Sequence, residues 1–341
     1  SNTIFICEDA LDWDTVSGEV ASTIITGQGT ATLALTDKIL VSDTDNSGAL
    51  FEADIQDVVD LVASPPGSNL ITDPFFLDWG QGTSRAGLSG ATGLRYGPTL
   101  MAHKVISNSP VVLTASQQTD VPTVAQAGYK IPYSCKWLVT TPDAALAAGE
   151  ASYLEFMIPG PKYANIHQQT YTYSLWIKIK GGTTPHSSSK VCLAFTNSAN
   201  NRSYVADTVI TTDNTWQNIS VTIPADTTGT YLFTPASVGL RVRLALAVGS
   251  TYQGTDLTFE SANDISTSAT TNLADEANDE IWIAAPKLEL GAVASSANHS
   301  NFDQAHLEIL RYYSTSYGQN EPPGTVTSNG VCKFLASYIN G

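Results

Sequence analysis

Between residues 171 and 248 the chain alternates in character with a period of two, and no other feature limits its fold so strongly. In 171–179 the odd positions are Tyr171, Tyr173, Leu175, Ile177 and Ile179, and the even ones Thr172, Ser174, Trp176 and Lys178. Successive side chains of a pleated strand point to opposite faces, so this segment reads as a half-buried strand. Gly181-Gly182 breaks it, and Val191, Leu193 and Phe195 resume the pattern. Runs at 204–210 and 216–223 follow, the second stopped by Pro224. Leu240, Val242, Leu244, Leu246 and Val248 close the series, with Arg241, Arg243, Ala245 and Ala247 opposite. Strands at this spacing, separated by Gly, Pro, Asn and Asp clusters, imply an all-β core built as an antiparallel sandwich or barrel.

The 341 residues suffice for a sizeable core and more than one structural unit. Only 14% are charged, and 32 acids against 16 bases leave a net charge of −16. Such a field repels phosphate backbones, which argues against nucleic acid as a partner. No apolar run is long enough to cross a membrane as a helix. The first residues show no basic-then-apolar secretion signal, although a signal already cleaved leaves no trace. Cys7, Cys135, Cys192 and Cys332 lie far apart without metal spacing and read as reduced structural thiols, with long-range disulfides the alternative.

Residues 1–65 differ from the rest. Short strand-like runs at 30–35 and 37–41 precede the turn at 43–48, and Ile55, Val58, Val59 and Val62 then fall on one helical face. A helix this short and apolar needs another chain or domain to pack on. Asp43, Asp45, Ser47 and Asp54 occupy the first, third, fifth and twelfth positions of a calcium-loop pattern. The twelfth is Asp where Glu is usual, and a strand precedes the loop, so a β-turn with self-satisfied Asp and Asn is the plainer reading. Ser64-Pro65-Pro66-Gly67 reads as a linker.

From Asn69 a large β domain begins. Leu70-Ile71 reads as its first strand, 80–97 as a glycine-rich loop, and 111–118, 137–141, 152–158 and 281–290 as further strands. Residues 251–280 form a long polar insertion whose terminal acids, Asp275, Glu276, Asp279 and Glu280, read as a solvated loop rather than a cation site. A short helix is expected over 304–313. The domains expected are thus 1–65, 66–316 and a C-terminal extension over 317–341.

No nucleophile elbow, zinc-protease, P-loop or dinucleotide motif occurs, and His103, His167, His186, His299 and His306 stand in polar contexts that suggest surface positions. Nothing points to a catalytic site or a cofactor. Glycan recognition has a different signature: aromatic faces against sugar C–H surfaces, beside amides and hydroxyls. Trp176 shares the polar phase with Ser174 and Lys178, so it is either a stacking platform or is covered by a loop or a neighbouring subunit. Tyr163, Tyr231 and Tyr252 stand in or beside loops and are the other candidate ligand-binding residues. Trp137, Trp216 and Trp282 read as sandwich packing.

Several stretches, in order, resemble one family. They are Asn69-Leu70-Ile71 with Trp79, residues 115–122, Ala147-Ala148-Gly149-Glu150, residues 173–178, residues 197–204, Thr215-Trp216, residues 223–230, residues 249–252, residues 287–294 and Leu310-Arg311-Tyr312-Tyr313. Together they look like the sandwich domain of tailed-bacteriophage tail-fibre and appendage proteins. The resemblance departs at Ala294-Ser295-Ser296 and at Ile309-Leu310. It implies an antiparallel jelly-roll β-sandwich like a carbohydrate-binding module, preceded by a strand and short-helix segment for virion attachment and trimerisation. It also implies a homotrimer on the virion surface, with other virion proteins and host cell-surface polysaccharide as partners. The alternatives are a structural head-fibre or decoration protein that binds no sugar, and a polysaccharide depolymerase.

Overall fold

A computed structural model of the chain describes residues 38–43, 49–54, 69–79, 82–89, 95–98, 100–107, 109–296 and 309. The chain divides into two compact units, 1–66 and 67–341. In the first, strands β1 (Lys38–Asp43) and β2 (Ala49–Asp54) form an antiparallel hairpin. Its register is that of a plain two-stranded turn, the alternative reading of the calcium-loop pattern. Asp43 pairs with Ala49 at the closed end, whereas Asp54 pairs with Lys38 at the other. Five strand steps, about 17 Å, separate positions 43 and 54 along the hairpin. Asp45, Ser47, the strand at 30–35 and the helical face at 55–62 lie outside the described residues, as do Cys7 and Cys332.

The second unit is an antiparallel jelly-roll β-sandwich, as the alternation and the resemblance led one to expect. Strands are numbered in chain order. One sheet has the order β14 (Thr258–Glu260), β11 (Ser203–Ile210), β10 (Ser189–Asn197), β13 (Val238–Val248), β8 (Ala151–Pro159), β5 (Met101–Ile106) and β4 (Arg95–Tyr96). The other has the order β12 (Gln217–Ile223), β9 (Tyr171–Lys180), β15 (Glu280–Leu290), β7 (Ser134–Thr141), β6 (Val112–Gln118) and β3 (Ser84–Ser89). The odd residues of β9 meet Leu193, Phe195, Val242 and Leu244 from the facing sheet in one apolar core. Each such side chain, fully buried, contributes about 1.5–3 kcal/mol relative to exposure.

The half-buried expectation fails in an informative way: both faces of β9 are covered. Thr172, Ser174 and Lys178 are nearly as buried as their apolar neighbours. On the outer face of the six-stranded sheet, Phe75, Ile131, Trp216, Trp282, Ala284 and Ala285 build a second cluster. Trp216 and Trp282 therefore pack outside the sandwich, while Trp137 lies in its core. On the outer face of the seven-stranded sheet, Tyr153, Cys192, Ala194, Val205 and Ala245 meet Ile265 from the 251–280 insertion. That insertion is pinned by Thr271 N to Lys190 O (2.9 Å) and Leu273 N to Leu246 O (2.8 Å). Asp279, assigned to a solvated loop, is 1% exposed. Alternation reports one sheet face at a time and does not register a cover supplied by distant loops.

Three local expectations also change. Leu70-Ile71 is a buried bend rather than a strand, the glycine-rich 80–97 stretch holds β3 and β4, and β5 was not foreseen. The sequence of β5, Met-Ala-His-Lys-Val-Ile, buries its first three residues in succession and so gives no period-two signal. Its His103 is wholly buried, against the surface position expected. Of the helix expected over 304–313, only Ile309 is described, helical and buried. Cys135 and Cys192 are free and buried, and burial raises the pKa of both thiols.

Candidate functional site: a groove on the outer face of the six-stranded sheet

The site begins with an interruption in β15. Its pairing with β9 runs from Ala284 opposite Trp176 to Lys287 opposite Ser174, so β15 carries one extra residue. Ala285 adopts a left-handed φ of 47° there, and Pro286 has no N–H to give. The side chain of Asn69 replaces the lost strand bonds. Its Nδ2 donates to Pro286 O (2.9 Å), and its Oδ1 accepts from Leu288 N (3.1 Å) and Ile71 N (2.9 Å).

Trp176 and Ser174 of β9, Asn218 of β12 and Ala285 at the bulge line the sheet side of a cavity of about 330 Å³. Asn218 pairs directly with Trp176. One wall is helix α1 (Val124–Ala127) with Tyr129 after it. A reciprocal cap starts α1: Thr123 Oγ1 accepts from Gln126 N (3.3 Å), and Gln126 Oε1 accepts from Thr123 N (2.9 Å). Gly128 ends it at φ 78°, the left-handed position glycine reaches without strain.

This wall is moored beneath the groove. Lys178 Nζ lies 3.9 Å from the centre of the Trp282 ring and 5.3 Å from that of Trp216. It also pairs with Asp120 at 2.6 Å, and Trp216 Nε1 donates to the same carboxylate at 3.1 Å. Burial pushes the Asp120 pKa upward, but those two contacts outweigh it and hold the carboxyl below its ordinary value.

The opposite wall is the segment 294–296. An ion pair on the outer face of β15, Lys287 to Glu289 at 2.9 Å, ties it down, with both side chains at most 1% exposed. Glu289 accepts from Ser295 N (2.7 Å) and Ser295 Oγ (2.6 Å). Lys287 donates to Ser296 O (3.0 Å) and to Ser295 Oγ. Val124 and Val293, 58% and 69% exposed, lie in or next to the two walls.

The lining is two half-buried aromatics, Trp176 and Tyr129, with amides from Gln126 and Asn218 and hydroxyls from Ser174, Ser295 and Ser296. No carboxylate or cation lines it. Such a surface stacks on apolar faces and exchanges hydrogen bonds with neutral hydroxyls, and it offers no acid–base pair.

Of the four residues singled out from sequence, only Trp176 stands here. Tyr163, at the end of helix α2 (Gly160–Tyr163), is 1% exposed, and burial pushes its pKa up to about 12. Tyr231 packs on it with ring centres 4.9 Å apart and donates to Asp226 Oδ2 at 2.8 Å. Buried rings present no face to a ligand, so both belong to the core. Tyr252 ends a 3₁₀ turn and packs against the cluster on the other sheet. Tyr129, Gln126, Asn218 and Ser295 were missed. The Thr123–Gln126 capping box was readable, but Asn218 joins Trp176 only through a strand register that the sequence does not state.

No protein-family model and no curated protein matches the sequence. Among solved structures the chain is similar to TmCBM61 in complex with β-1,4-galactotriose (10% identity, 66% of this chain and 99% of that one, TM-score 0.29). It is also similar to a sugar-binding protein from Bacteroides thetaiotaomicron (8% identity, 66% and 100% covered, TM-score 0.35). A third is the CBM22-1 xylan-binding domain from Paenibacillus barcinonensis Xyn10C (13% identity, 67% and 97% covered, TM-score 0.27). Likenesses this distant carry no argument about what the present groove holds.

Proposed function

We propose that this chain is a non-catalytic glycan-recognition protein: a homotrimeric bacteriophage fibre or spike subunit whose sandwich binds host-surface polysaccharide. The observation that supports recognition is the groove, where Trp176 and Tyr129 stand among amides and hydroxyls with no charged group in the lining. Glycosidic hydrolysis needs two carboxylates across the bond, and the groove supplies none. The virion role rests on the ordered resemblance to fibre proteins. In that setting weak sugar sites repeated on each fibre give firm adhesion through effective concentration. The N-terminal unit would attach the fibre to the particle through other virion proteins.

A second reading has its own support. Val124 and Val293 are the kind of exposed apolar side chains that a neighbouring protein covers. On that reading the groove holds a virion partner, and the protein is a structural head-fibre or decoration component.

Binding of the purified chain to host polysaccharide, with Trp176→Ala alongside, tests the proposal, and light scattering gives the assembly state. Recognition predicts saturable binding that Trp176→Ala removes while the circular-dichroism spectrum stays unchanged. Wild-type protein that ignores host glycans but captures virion proteins through the same groove transfers the case to the second reading. New reducing ends in the polysaccharide would overturn both. A stable monomer would remove the fibre assignment.

A further inference from the structure

Where the loop after β9 meets the loop before β15, a histidine and two carboxylates converge. His186, Asp275 and Asp279 each place a ligand atom within 4.8 Å of the others, the one such group of three among the described residues. Asp279 and His186 are buried and Asp275 is exposed. The two loops are locked together. Gly182 N donates to Asp279 Oδ1 (2.8 Å), and Glu276 N to Asp279 Oδ2 (3.1 Å). Gly181 N and His186 N both donate to Asp213 Oδ1, each at 2.9 Å. A side chain on Gly182 would collide with the carbonyl of Ala277 at 2.3 Å, so the loops meet at backbone distance.

The His186 side chain is 8% exposed, its Nδ1 faces Ser189 Oγ at 3.4 Å, and its Nε2 is buried without a hydrogen-bond partner. That nitrogen lies 3.4 Å from Asp279 Oδ1, longer than the usual N–H···O bond of about 2.7–3.2 Å. Two ligands at about 2.1 Å from a tetrahedral ion stand about 3.4 Å apart. The same spacing serves an ion pair when the imidazole is protonated and a shared ion when it is not. We propose that His186 Nε2, Asp279 Oδ1 and Asp275 form a three-ligand site for a zinc-type divalent cation, with water completing the coordination. A buried imidazole with two carboxylates selects a borderline metal over calcium, which takes six to eight oxygens. The ion would clamp the two loops and is independent of the sugar groove.

Titration calorimetry and Co²⁺ absorption on the full chain, stripped by chelator, are the test. Zn²⁺ alone should bind with one-to-one stoichiometry and raise the melting temperature. Co²⁺ should give the intense visible bands of a tetrahedral site with a nitrogen ligand. Asp275→Asn, on an exposed loop position, should keep the fold and lose tight binding, and His186→Gln should lose the Co²⁺ bands. Absence of Zn²⁺ binding overturns the assignment. So does binding that survives both substitutions, or a preference for Ca²⁺ over Zn²⁺.

Discussion

Arg202 holds Asp226 in a two-bond grip, Nε to Oδ2 at 2.9 Å and Nη2 to Oδ1 at 2.8 Å. The same carboxylate accepts Tyr231 Oη and the N–H groups of Thr228 and Gly229. Burial works against its charge, yet the guanidinium first and then the other donors hold its pKa well below the carboxylate range. Asp226→Ala strands a half-buried guanidinium and a buried phenol, so it should cost about 1–3 kcal/mol in urea unfolding. A folded pKa below the unfolded one means that this stability is present above about pH 4 and drains away in stronger acid. A cost under 1 kcal/mol would show that the surrounding loop reorganises freely.

Lys287 and Glu289 differ from that grip because they hold a wall rather than a core. Lys287→Met leaves Glu289 buried without its cation, whereas Lys287→Met with Glu289→Leu removes both charges together. The single variant should lose about 3–5 kcal/mol and the double much less. The double variant loses every side-chain bond to 295–296 and should free that wall and weaken glycan binding, whereas the single variant keeps the Glu289 bonds to Ser295 and should weaken it less. Unchanged binding in the double variant would show that this wall takes no part in recognition.

Two buried groups should oppose each other between pH 6.5 and 4. His103 sits between Leu88 O and Ser152 Oγ, each at 2.8 Å, and burial lowers its pKa to about 4. Below pH 6.5 the unfolded imidazole takes a proton that the folded one refuses, so acidification removes stability. Burial raises Asp73 to about 6, over the opposing pull of the Asp78 and Leu77 N–H groups. Its contribution is complete below about pH 4 and is lost as pH rises through 6. Each amounts to about 3 kcal/mol over its window. His103→Gln should therefore gain stability on acidification relative to wild type, and Asp73→Asn should lose it. Equal pH slopes for all three proteins would refute the assignment.

Gly249 closes the end of β13. A Cβ there would stand 2.1 Å from Ala147 O and 2.5 Å from Ala148 O, both fixed backbone atoms. Gly249→Ala should cost about 1–3 kcal/mol through displacement of that turn, while Gly149→Ala, which meets nothing, should be close to neutral in thermal melts.

The strands were legible wherever one phase was apolar and the other was not. The segment 171–179 falls within β9 to its last residue but one, and 240–248 falls within β13. Met101–Ile106 was invisible because both its faces are buried, and β3 was masked by its glycine. At the site, the phase of Trp176 pointed to the even face of β9, and that face lines the groove. Tyr163 and Tyr231 misled because loop tyrosines and core tyrosines look alike until their packing is known. His186 and Asp279 lie 93 residues apart, and only the β9–β15 pairing brings their loops together.

The placement of β15 between β9 and β7 also dictates an order of events during synthesis. Lys180 at the end of β9 waits for Glu280, 100 residues downstream, and Asn69 waits for Leu288, 219 residues downstream. Until β15 emerges, the six-stranded sheet exists as two halves with raw hydrogen-bonding edges, each able to pair with a nascent neighbour. Closure of such distant contacts is slow. A lower growth temperature or an added chaperone should therefore raise the yield of folded chain in a cell making it at high level.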